Sequence, residues 1–382
     1  MQQVTILDKR KMNFYSMRRR VVKIAILTAA VTTATCLITS LVLLTDKHNI
    51  FQKREIREQE QSTKPTLRNS IQCYRSKIES IPDISDSHPR KDKSIFFHES
   101  SCKSYYNNKI FINARQACAV ESAATLNPNL DIYLLYSSPG IFKYDGHESD
   151  DLLEAILSYE NVHVMHVDFE RYIEGTPLES LYKHGKIEQS SYAISHASDI
   201  LRFLSLWKYG GIYLDLDTIS IKTLEGLPLN FAGLETNVSV NSAILSFNSS
   251  DYGHVLAEKC IMDLKRNFNG RLWANNGPGV ITRLIRSICG VEKRQAIQAN
   301  TCHGFRLFSE SAFYPISGPS WEMYFNETYL NEVLEQTSSS YVLHIWNNNS
   351  ANRKLPVDSK APYLYFAKKY CPKVIEVCTD FF

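Results

Sequence analysis

Two carboxylates stand two residues apart in the run Tyr213-Leu214-Asp215-Leu216-Asp217. In an extended segment, residues at this spacing face the same side, so Tyr213, Asp215 and Asp217 are predicted to share one face. Two carboxylates on one face repel each other unless a cation or a proton lies between them. Such oxygen ligands suit Mg²⁺ or Mn²⁺, which commonly complete their coordination with substrate phosphates. The spacing predicts a divalent-metal site, with Asp217 as its first ligand and Asp215 beside it.

The segment before the aspartates is predicted to form a helix that ends at a glycine. Its apolar residues recur at steps of three and four and make one apolar face: Ile200, Phe203, Leu204 and Trp207. Ser195 is placed to cap the start of this helix, and Gly210 occupies the position where a left-handed terminal residue favours glycine. Asp199 and Arg202 lie three residues apart and are therefore neighbours on the helix surface. After the glycines the apolar period changes to two, which predicts a strand with the aspartates at its end.

Apolar segments alternate with amphipathic ones along the rest of the body. Strands are predicted at residues 95–97, 131–136 and 162–167, and helices at 112–126 and 151–159. This alternation indicates an α/β domain with a mostly parallel central sheet. Ligands of open α/β sheets bind at the carboxyl ends of the strands. The predicted metal site therefore belongs in the crevice at that edge of the sheet.

The helix, the two glycines and the aspartate pair together resemble a family signature. They resemble the DXD-containing glycosyltransferases of the GT-A fold, in the sugar-binding-region group that includes the α1,4-galactosyltransferases of glycolipid synthesis. Four further segments resemble that group and occur in order along the chain: FHESSC at 97–102, RQACAVESAA at 115–124, NGPGVITR at 276–283 and HIWN at 344–347. The resemblance covers the chain from the region of Ser94 to its C-terminus.

The resemblance implies a metal-dependent enzyme that moves galactose or N-acetylgalactosamine from UDP-Gal or UDP-GalNAc. The sugar would be added in α1,4 linkage, with retention of configuration, to the terminal sugar of a glycolipid; glycoprotein glycans are an alternative acceptor. The resemblance implies Mn²⁺ or Mg²⁺ as the cofactor, held by Asp215, Asp217 and His344. It also implies that the UDP-sugar is contacted by residues of the matching segments: Asp199, Arg202, Tyr213, His98, Asn276 and Gly277.

Other roles and other classes remain open at this stage. Structural alternatives exist for most of these positions: a surface ion pair for Asp199 and Arg202, core packing for Tyr213, hydrogen-bonded structural positions for His98, Glu99 and His344, and a plain turn for Asn276 and Gly277. Glu235, downstream of the aspartates, is a candidate nucleophile or orienting group. The Asp-x-Asp-x-Thr run also fits aspartyl-phosphate phosphohydrolases, with Asp215 as nucleophile, although in that class the run follows the first strand of its domain. A non-catalytic sugar-binding protein is a third alternative, which the two intact aspartates disfavour.

The first 45 residues have the features of a membrane anchor. Seven basic residues and one acidic residue precede Ile24, and the next 22 residues carry no formal charge. A helix of that length spans about 33 Å, close to the bilayer core of about 30 Å, and the basic flank places the N-terminus in the cytosol. We expect a cytosolic tail at 1–23, an uncleaved transmembrane signal anchor at 24–45, a stem at 46–93 and a lumenal catalytic domain at 94–382, in the Golgi membrane. A cleaved signal peptide is the alternative.

Charge, cysteines and sequons agree with a lumenal body. The net charge of +3 comes from the N-terminal flank, so the rest of the chain is mildly acidic and does not favour nucleic acid as a partner. Of the nine cysteines, the eight outside the predicted anchor suit disulfides in an oxidising lumen, while their spacing does not fit a zinc site. Four sequons are candidate glycosylation sites: Asn237, Asn248, Asn326 and Asn348.

Overall fold

The structure, a computed structural model, describes residues 70–382. The predicted tail, the predicted anchor and the first half of the predicted stem lie outside the described residues. Ten strands occur in the described part: β1 (Ser94–Glu99), β2 (Asp131–Tyr136), β3 (Val162–His166), β4 (Gly211–Leu214), β5 (Thr218–Ser220), β6 (Phe231–Thr236), β7 (Ser239–Phe247), β8 (Asn300–Cys302), β9 (Phe305–Phe308) and β10 (Val342–His344).

The α-helices of the same part are distributed between and after the strands: α1 (Lys103–Asn107), α2 (Ala114–Leu126), α3 (Glu148–Leu157), α4 (Phe169–Ile173), α5 (Glu179–Lys183), α6 (Ala193–Tyr209), α7 (Asp251–Asn267), α8 (Pro278–Cys289), α9 (Glu310–Phe313), α10 (Leu330–Gln336), α11 (Asn347–Ser350), α12 (Pro362–Tyr370) and α13 (Pro372–Val377). Short 3₁₀ helices occupy Gln72–Arg75, Ile84–Asp86, Trp273–Asn275, Gly318–Phe325 and Glu327–Tyr329.

Eight of the strands form one sheet in the order β3-β2-β1-β4-β7-β6-β9-β8, and β10 pairs with β5 in a second, two-stranded sheet. The strands β1 to β4 pair in parallel, as do β6 and β9, whereas β7 and β8 run antiparallel to their neighbours. Six of the eight strands therefore run in one direction, which confirms the predicted α/β domain with a mostly parallel sheet. The carboxyl ends of β1 and β4 lie side by side, at the edge where ligands of such sheets bind.

The two faces of β1 enter different hydrophobic layers. Ile95 and Phe97 pack in a cluster with Val120 of α2, whereas Phe96 packs in a cluster with Phe203 of α6. All five side chains are buried. Burying a side chain of this size stabilises a protein by about 1.5–3 kcal/mol, so the sheet is held from both sides. The alternation along β1 follows the two-residue period of a strand.

Helix α6 packs through the predicted apolar face but begins earlier than predicted. It starts at Ala193, and the amide of His196 donates to the carbonyl of Tyr192 at 2.8 Å. Ser195 therefore lies inside the first turn and does not cap the helix, which corrects the prediction. At the other end Gly210 has a φ of +66°, and a Cβ atom there would lie 2.1 Å from Oδ1 of Asp92. The predicted glycine at the helix end is confirmed, because both the backbone and the space require it.

The described chain upstream of β1 packs on the domain. Ile71, Tyr74 and Ile84 are buried in the same cluster as Phe96. Residues 70–93, which the sequence assigns to the stem, therefore contribute to the hydrophobic core. Within residues 70–382, none of the helices is long and apolar enough to cross a membrane.

Three disulfides occur in the described part of the chain: Cys73–Cys102, Cys118–Cys371 and Cys289–Cys302. Cys260 and Cys378 are buried, and neither forms a disulfide in the described part. The prediction of disulfides is thus confirmed for six of the eight cysteines. The four sequon asparagines lie at or near the surface: Asn237, Asn326 and Asn348 are exposed, and Asn248 is half-buried.

Candidate active site

The two aspartates lie in a turn and not on a strand. Strand β4 ends at Leu214, and the chain turns before β5 begins at Thr218. The amide of Asp215 still donates to the carbonyl of Ala243 in β7 at 2.9 Å, which extends the β4–β7 pairing by one residue. This corrects the prediction that one strand carries both carboxylates. The chain turns because β5 leaves the main sheet to pair with β10.

The β5–β10 pairing brings His344 to the aspartates. His344 is paired with Thr218, the residue after Asp217. The amide of Ile345 donates to the carbonyl of Asp217 at 2.8 Å, and the amide of Asn347 donates to Oδ2 of Asp217 at 2.7 Å. The backbone that follows the histidine therefore fixes the aspartate.

Each carboxylate has one oxygen held by the protein and the other turned toward His344. Oδ1 of Asp215 accepts from the Tyr213 hydroxyl at 2.6 Å and lies 3.1 Å from the Arg202 guanidinium. Nε2 of His344 lies 4.0 Å from Oδ2 of Asp215 and 3.3 Å from Oδ1 of Asp217. One ligand atom from each of the three residues lies within 4.8 Å of the others. Two carboxylates and an imidazole at this spacing fit Mn²⁺ or Mg²⁺, as the sequence predicts.

The charges of Asp217 and His344 support each other. Burial opposes ionisation of Asp217, but the charge and hydrogen bond of His344 outweigh it and lower the pKa of the carboxyl group. Burial also opposes the charge of His344, yet Asp217 and Asp215 outweigh it and raise the pKa of the imidazole. Each charged form therefore favours the other. Metal binding would require a deprotonated imidazole, because ligand atoms must be deprotonated.

Arg202 connects the metal cluster to Asp199. Both side chains are almost fully buried, which excludes the surface ion pair left open by the sequence. The guanidinium lies 3.3 Å from Oδ1 of Asp199, donates to the Ser242 carbonyl at 2.8 Å, and sits 4.7 Å above the Tyr213 ring. A buried cation needs such partners, because an unpaired charge in the interior is strongly destabilising. Tyr213 is fully buried and lines the cluster through its hydroxyl.

Asp199 is a buried carboxyl group whose pKa lies near neutral pH. Burial raises its pKa to about 7; Arg202 acts against this rise and the charge of Asp215 adds to it. Near neutral pH the group can therefore either donate or accept a hydrogen bond. This property suits contact with a hydroxyl group.

Gly277 lies against Asp199 and opens α8. A Cβ atom at this position would lie 2.2 Å from Oδ1 of Asp199 and 2.8 Å from Oγ of Ser242. The neighbouring Asn276 is fully buried, and its side-chain amide bonds the amide and the carbonyl of Asn269, both at 2.9 Å. Gly277 thus belongs to the site wall, while the side chain of Asn276 holds the loop that precedes it.

His98 lies behind the cluster. Its Nε2 is 3.1 Å from Oγ of Ser205, and its ring is 5.1 Å from the Tyr213 ring. Burial and the charge of Arg202 lower the pKa of His98 to about 3, so the imidazole is neutral at physiological pH. Its contact with a substrate stays a prediction. Glu99 follows it at the end of β1 and is also buried.

Three residues of the site were missed or left undecided by the sequence. The His344 ring packs between Tyr314, at 5.7 Å, and Trp346, at 4.4 Å between ring centroids. Oε2 of Glu235 accepts from the side chain of Asn241 at 3.0 Å, and burial raises the pKa of this carboxyl group while His344 acts against the rise. Trp346 belongs to the HIWN segment, so the sequence could have identified it as a site residue. Tyr314 carried no signal, because only tertiary packing brings it to His344.

Comparisons with known proteins identify the family of the chain. Residues 113–237 match the family described as the glycosyltransferase sugar-binding region containing DXD motif, and residues 249–378 match the alpha 1,4-glycosyltransferase conserved region. Lactosylceramide 4-alpha-galactosyltransferase of Mus musculus is 31% identical over 280 residues, which cover 73% of this chain and 74% of the mouse protein. Alpha-1,4-N-acetylglucosaminyltransferase of Homo sapiens is 29% identical over 265 residues, 67% of this chain and 74% of the human protein.

Solved structures resemble the chain more weakly. A galactosyltransferase in complex with donor and acceptor sugar analogues shares 12% identity, covering 75% of this chain and 96% of that one, with a TM-score of 0.36. The family is shown by the sequence relatives. The two family models match different parts of the chain. The first match contains both aspartates, and the second contains His344. The chain belongs to the α1,4-glycosyltransferase family.

Proposed function

We propose that this protein transfers galactose or N-acetylgalactosamine from a UDP-sugar, in α1,4 linkage and with retention, to the terminal sugar of a glycolipid. The observation that carries the proposal is the cluster of Asp215, Asp217 and His344, joined through Arg202 to Asp199. The name of the mouse relative supports galactose and a lactosylceramide-type acceptor. The human relative adds N-acetylglucosamine as a donor sugar to be tested.

Each residue of the site has a different role in such a transfer. Asp215, Asp217 and His344 would hold Mn²⁺ or Mg²⁺, which supplies Lewis-acid stabilisation of the charge that grows on a diphosphate leaving group. Arg202 keeps Asp199 and Asp215 in fixed positions, because it forms an ion pair with each of them. The Asp199 carboxyl group is suited to a sugar hydroxyl, since it can donate or accept near neutral pH. Gly277 leaves room beside it that any other side chain would fill.

A donor and acceptor screen tests the proposal. The purified protein is offered UDP-Gal, UDP-GalNAc, UDP-GlcNAc and GDP-mannose, each with lactosylceramide and with a glycoprotein acceptor, and the product linkage is read by NMR. We expect an α1,4 product from a UDP-galactose-type donor on the glycolipid. Modification of the glycoprotein alone, or a preference for GDP-mannose, would contradict the proposal.

Metal dependence is tested separately from turnover. We expect UDP to raise the melting temperature of the protein in the presence of Mn²⁺ and to have little effect after treatment with EDTA, because the diphosphate and the aspartates would share the cation. A His344→Ala variant should lose the metal-dependent part of the shift. An equal shift with and without metal would remove the metal from the proposal. Turnover of a phosphate ester without any sugar donor would favour the phosphohydrolase alternative instead.

We further propose that residues 24–45 anchor the protein in the Golgi membrane, with the catalytic body in the lumen. The uncharged run and its basic flank support this placement. N-linked glycan on at least one of the four sequon asparagines is expected on the cellular protein. An N-terminus beyond Thr45 on that protein would show cleavage and would contradict the anchor.

A further inference from the structure

The loop between α7 and α8 exposes an apolar pair at its tip. Leu272 is 57% exposed and Trp273 is 48% exposed, and Arg271 and Ala274 beside them are exposed as well. An exposed aromatic and an exposed leucine next to each other offer an apolar surface to a ligand. We call Leu272 and Trp273 the ledge.

The loop that carries the ledge is fixed to the body at several points. The carbonyl of Gly270 accepts from the amide of Ser191 at 3.0 Å and from Oγ of Ser190 at 3.1 Å. The Trp273 carbonyl lies 3.3 Å from Nε2 of His196, and the Asn276 side chain closes the base of the loop on the backbone of Asn269. A ligand that binds the ledge therefore does not need to order it first, which removes one of the usual costs of binding.

The ledge adjoins the candidate sugar site along two separate segments. Downstream, the chain reaches Gly277 four residues after Trp273, and Gly277 lies against the carboxyl group of Asp199. On the helix beneath, His196 contacts the Trp273 carbonyl one turn before Asp199. The exposed Trp273 is thus carried by a loop that adjoins Asp199 and Gly277.

We propose that the ledge is the acceptor subsite, where the indole of Trp273 stacks on the C–H face of a pyranose of the acceptor. This proposal rests on the proposed transferase function. A pyranose offers an apolar C–H face ringed by hydroxyl groups, and a rigid exposed aromatic provides the matching surface at little entropic cost. Arg271 next to the ledge supplies donors for the hydroxyl groups at the edge of such a ring. In this arrangement the donor sugar lies at Asp199 and Gly277, and the ledge holds the acceptor.

Kinetics of Trp273→Ala, Trp273→Phe and Tyr252→Ala in the full-length protein test the proposal. Tyr252 is a matched control, because it is an exposed aromatic at the start of α7, a helix about 25 Å long, and the ledge follows the other end of that helix. We expect Trp273→Ala to raise the KM for the acceptor about tenfold, the size expected for one lost aromatic contact. The KM for the UDP-sugar, the rate of donor hydrolysis by water and the melting temperature should stay near wild type. Trp273→Phe should recover most of the acceptor affinity, and Tyr252→Ala should change neither KM.

Two acceptors separate a sugar subsite from a membrane contact. A soluble lactoside and lactosylceramide in phosphatidylcholine vesicles should both lose affinity in Trp273→Ala. A loss confined to the vesicles would mean that the ledge contacts lipid, and an equal loss for donor and acceptor would mean a general disturbance; either result overturns the proposal. If the wild type transfers from none of the UDP-sugars, the proposed function fails on its own. Tryptophan fluorescence then decides about the ledge: quenching by the lactoside that disappears in Trp273→Phe supports the subsite, and its absence overturns it.

Discussion

The two oxygens of the Asp217 carboxylate have different neighbours. Oδ2 accepts from the amide of Asn347, and Oδ1 faces His344. An asparagine can keep the first contact through its carbonyl oxygen, but it removes the charge that a cation needs. The structural and the proposed chemical roles of this residue are therefore separable by a single change.

We expect Asp217→Asn to reduce transfer to less than a tenth of wild type at saturating Mn²⁺. This corresponds to a loss of at least about 1.4 kcal/mol in transition-state stabilisation. The melting temperature should change little. Asp358→Asn, at an exposed position, is the matched control and should retain full activity. Activity above a tenth of wild type in Asp217→Asn would remove the residue from the metal site.

Glu99 gives the stability of the protein a pH dependence. Burial raises the pKa of this carboxyl group to about 7, while a hydrogen bond from Ser101 acts against the rise. The folded state thus keeps a proton that the unfolded chain releases at about pH 4.3. The contribution of Glu99 to stability is complete below that pH, falls as the pH rises, and levels off above about pH 7, a loss on the order of 3 kcal/mol.

Glu99→Gln should remove this part of the pH dependence, because an amide does not titrate. In urea unfolding, the wild type should lose more stability than the variant between pH 5 and pH 8. Glu292→Gln, an exposed position, serves as the control for loss of a carboxylate. Parallel pH profiles for the wild type and Glu99→Gln would show that Glu99 ionises normally in the folded protein.

At the scale of elements, the sequence predicted which segments carry the chemistry better than it predicted where they end. The period of two through Ile212, Leu214 and Leu216 extends the predicted strand too far. The strand stops at Leu214 because the chain turns to place β5 against β10. That pairing joins residues 218–220 to 342–344, a separation over which local periodicity carries no information. His344 was found only through the HIWN segment, and its position beside Asp217 follows from the pairing.

Helix α8 and helix α6 meet at Gly277 and Asp199. We expect Gly277→Ala to lower transfer about tenfold or more, because the methyl group would displace the Asp199 carboxyl group, and to destabilise the fold by about 1–3 kcal/mol. Gly318→Ala is the control, since a Cβ atom there would meet the Trp346 ring at an ordinary 3.5 Å. Transfer and urea unfolding are measured for both. Full activity in Gly277→Ala would show that the position of Asp199 is not critical.

On the scale of the whole molecule, the folded body extends upstream of the catalytic segment that the family resemblance covers. Ile71, Tyr74 and Ile84 are buried, and Cys73 is joined to Cys102. The sequence did not predict that residues upstream of β1 are buried. Residues 46–93 are mostly polar, and a few apolar residues among many charges do not make a periodic pattern. The order of the strands in the sheet could not be predicted from the sequence either, because it depends on which connections cross over.

A chain that begins at Ser94 should therefore be less stable than one that begins at Ser70. Loss of the disulfide alone is expected to remove about 2–5 kcal/mol, and loss of the buried side chains adds to this. Melting temperature and soluble yield measure the difference. A chain from Ser70 with Cys73→Ala and Cys102→Ala separates the two contributions. Equal stability of the two truncated chains would show that residues 70–93 do not stabilise the folded body, as expected for a stem.

The disulfide between Cys118 and Cys371 closes the catalytic body into a covalent ring. Its two cysteines are 253 residues apart, and Asp199, Asp217 and His344 all lie between them. A protease that cuts one exposed loop inside this ring opens it without releasing a fragment. A nicked molecule should run as one band without reductant and as two bands with it. After a single cut inside the ring, all of the site residues therefore remain on one connected molecule.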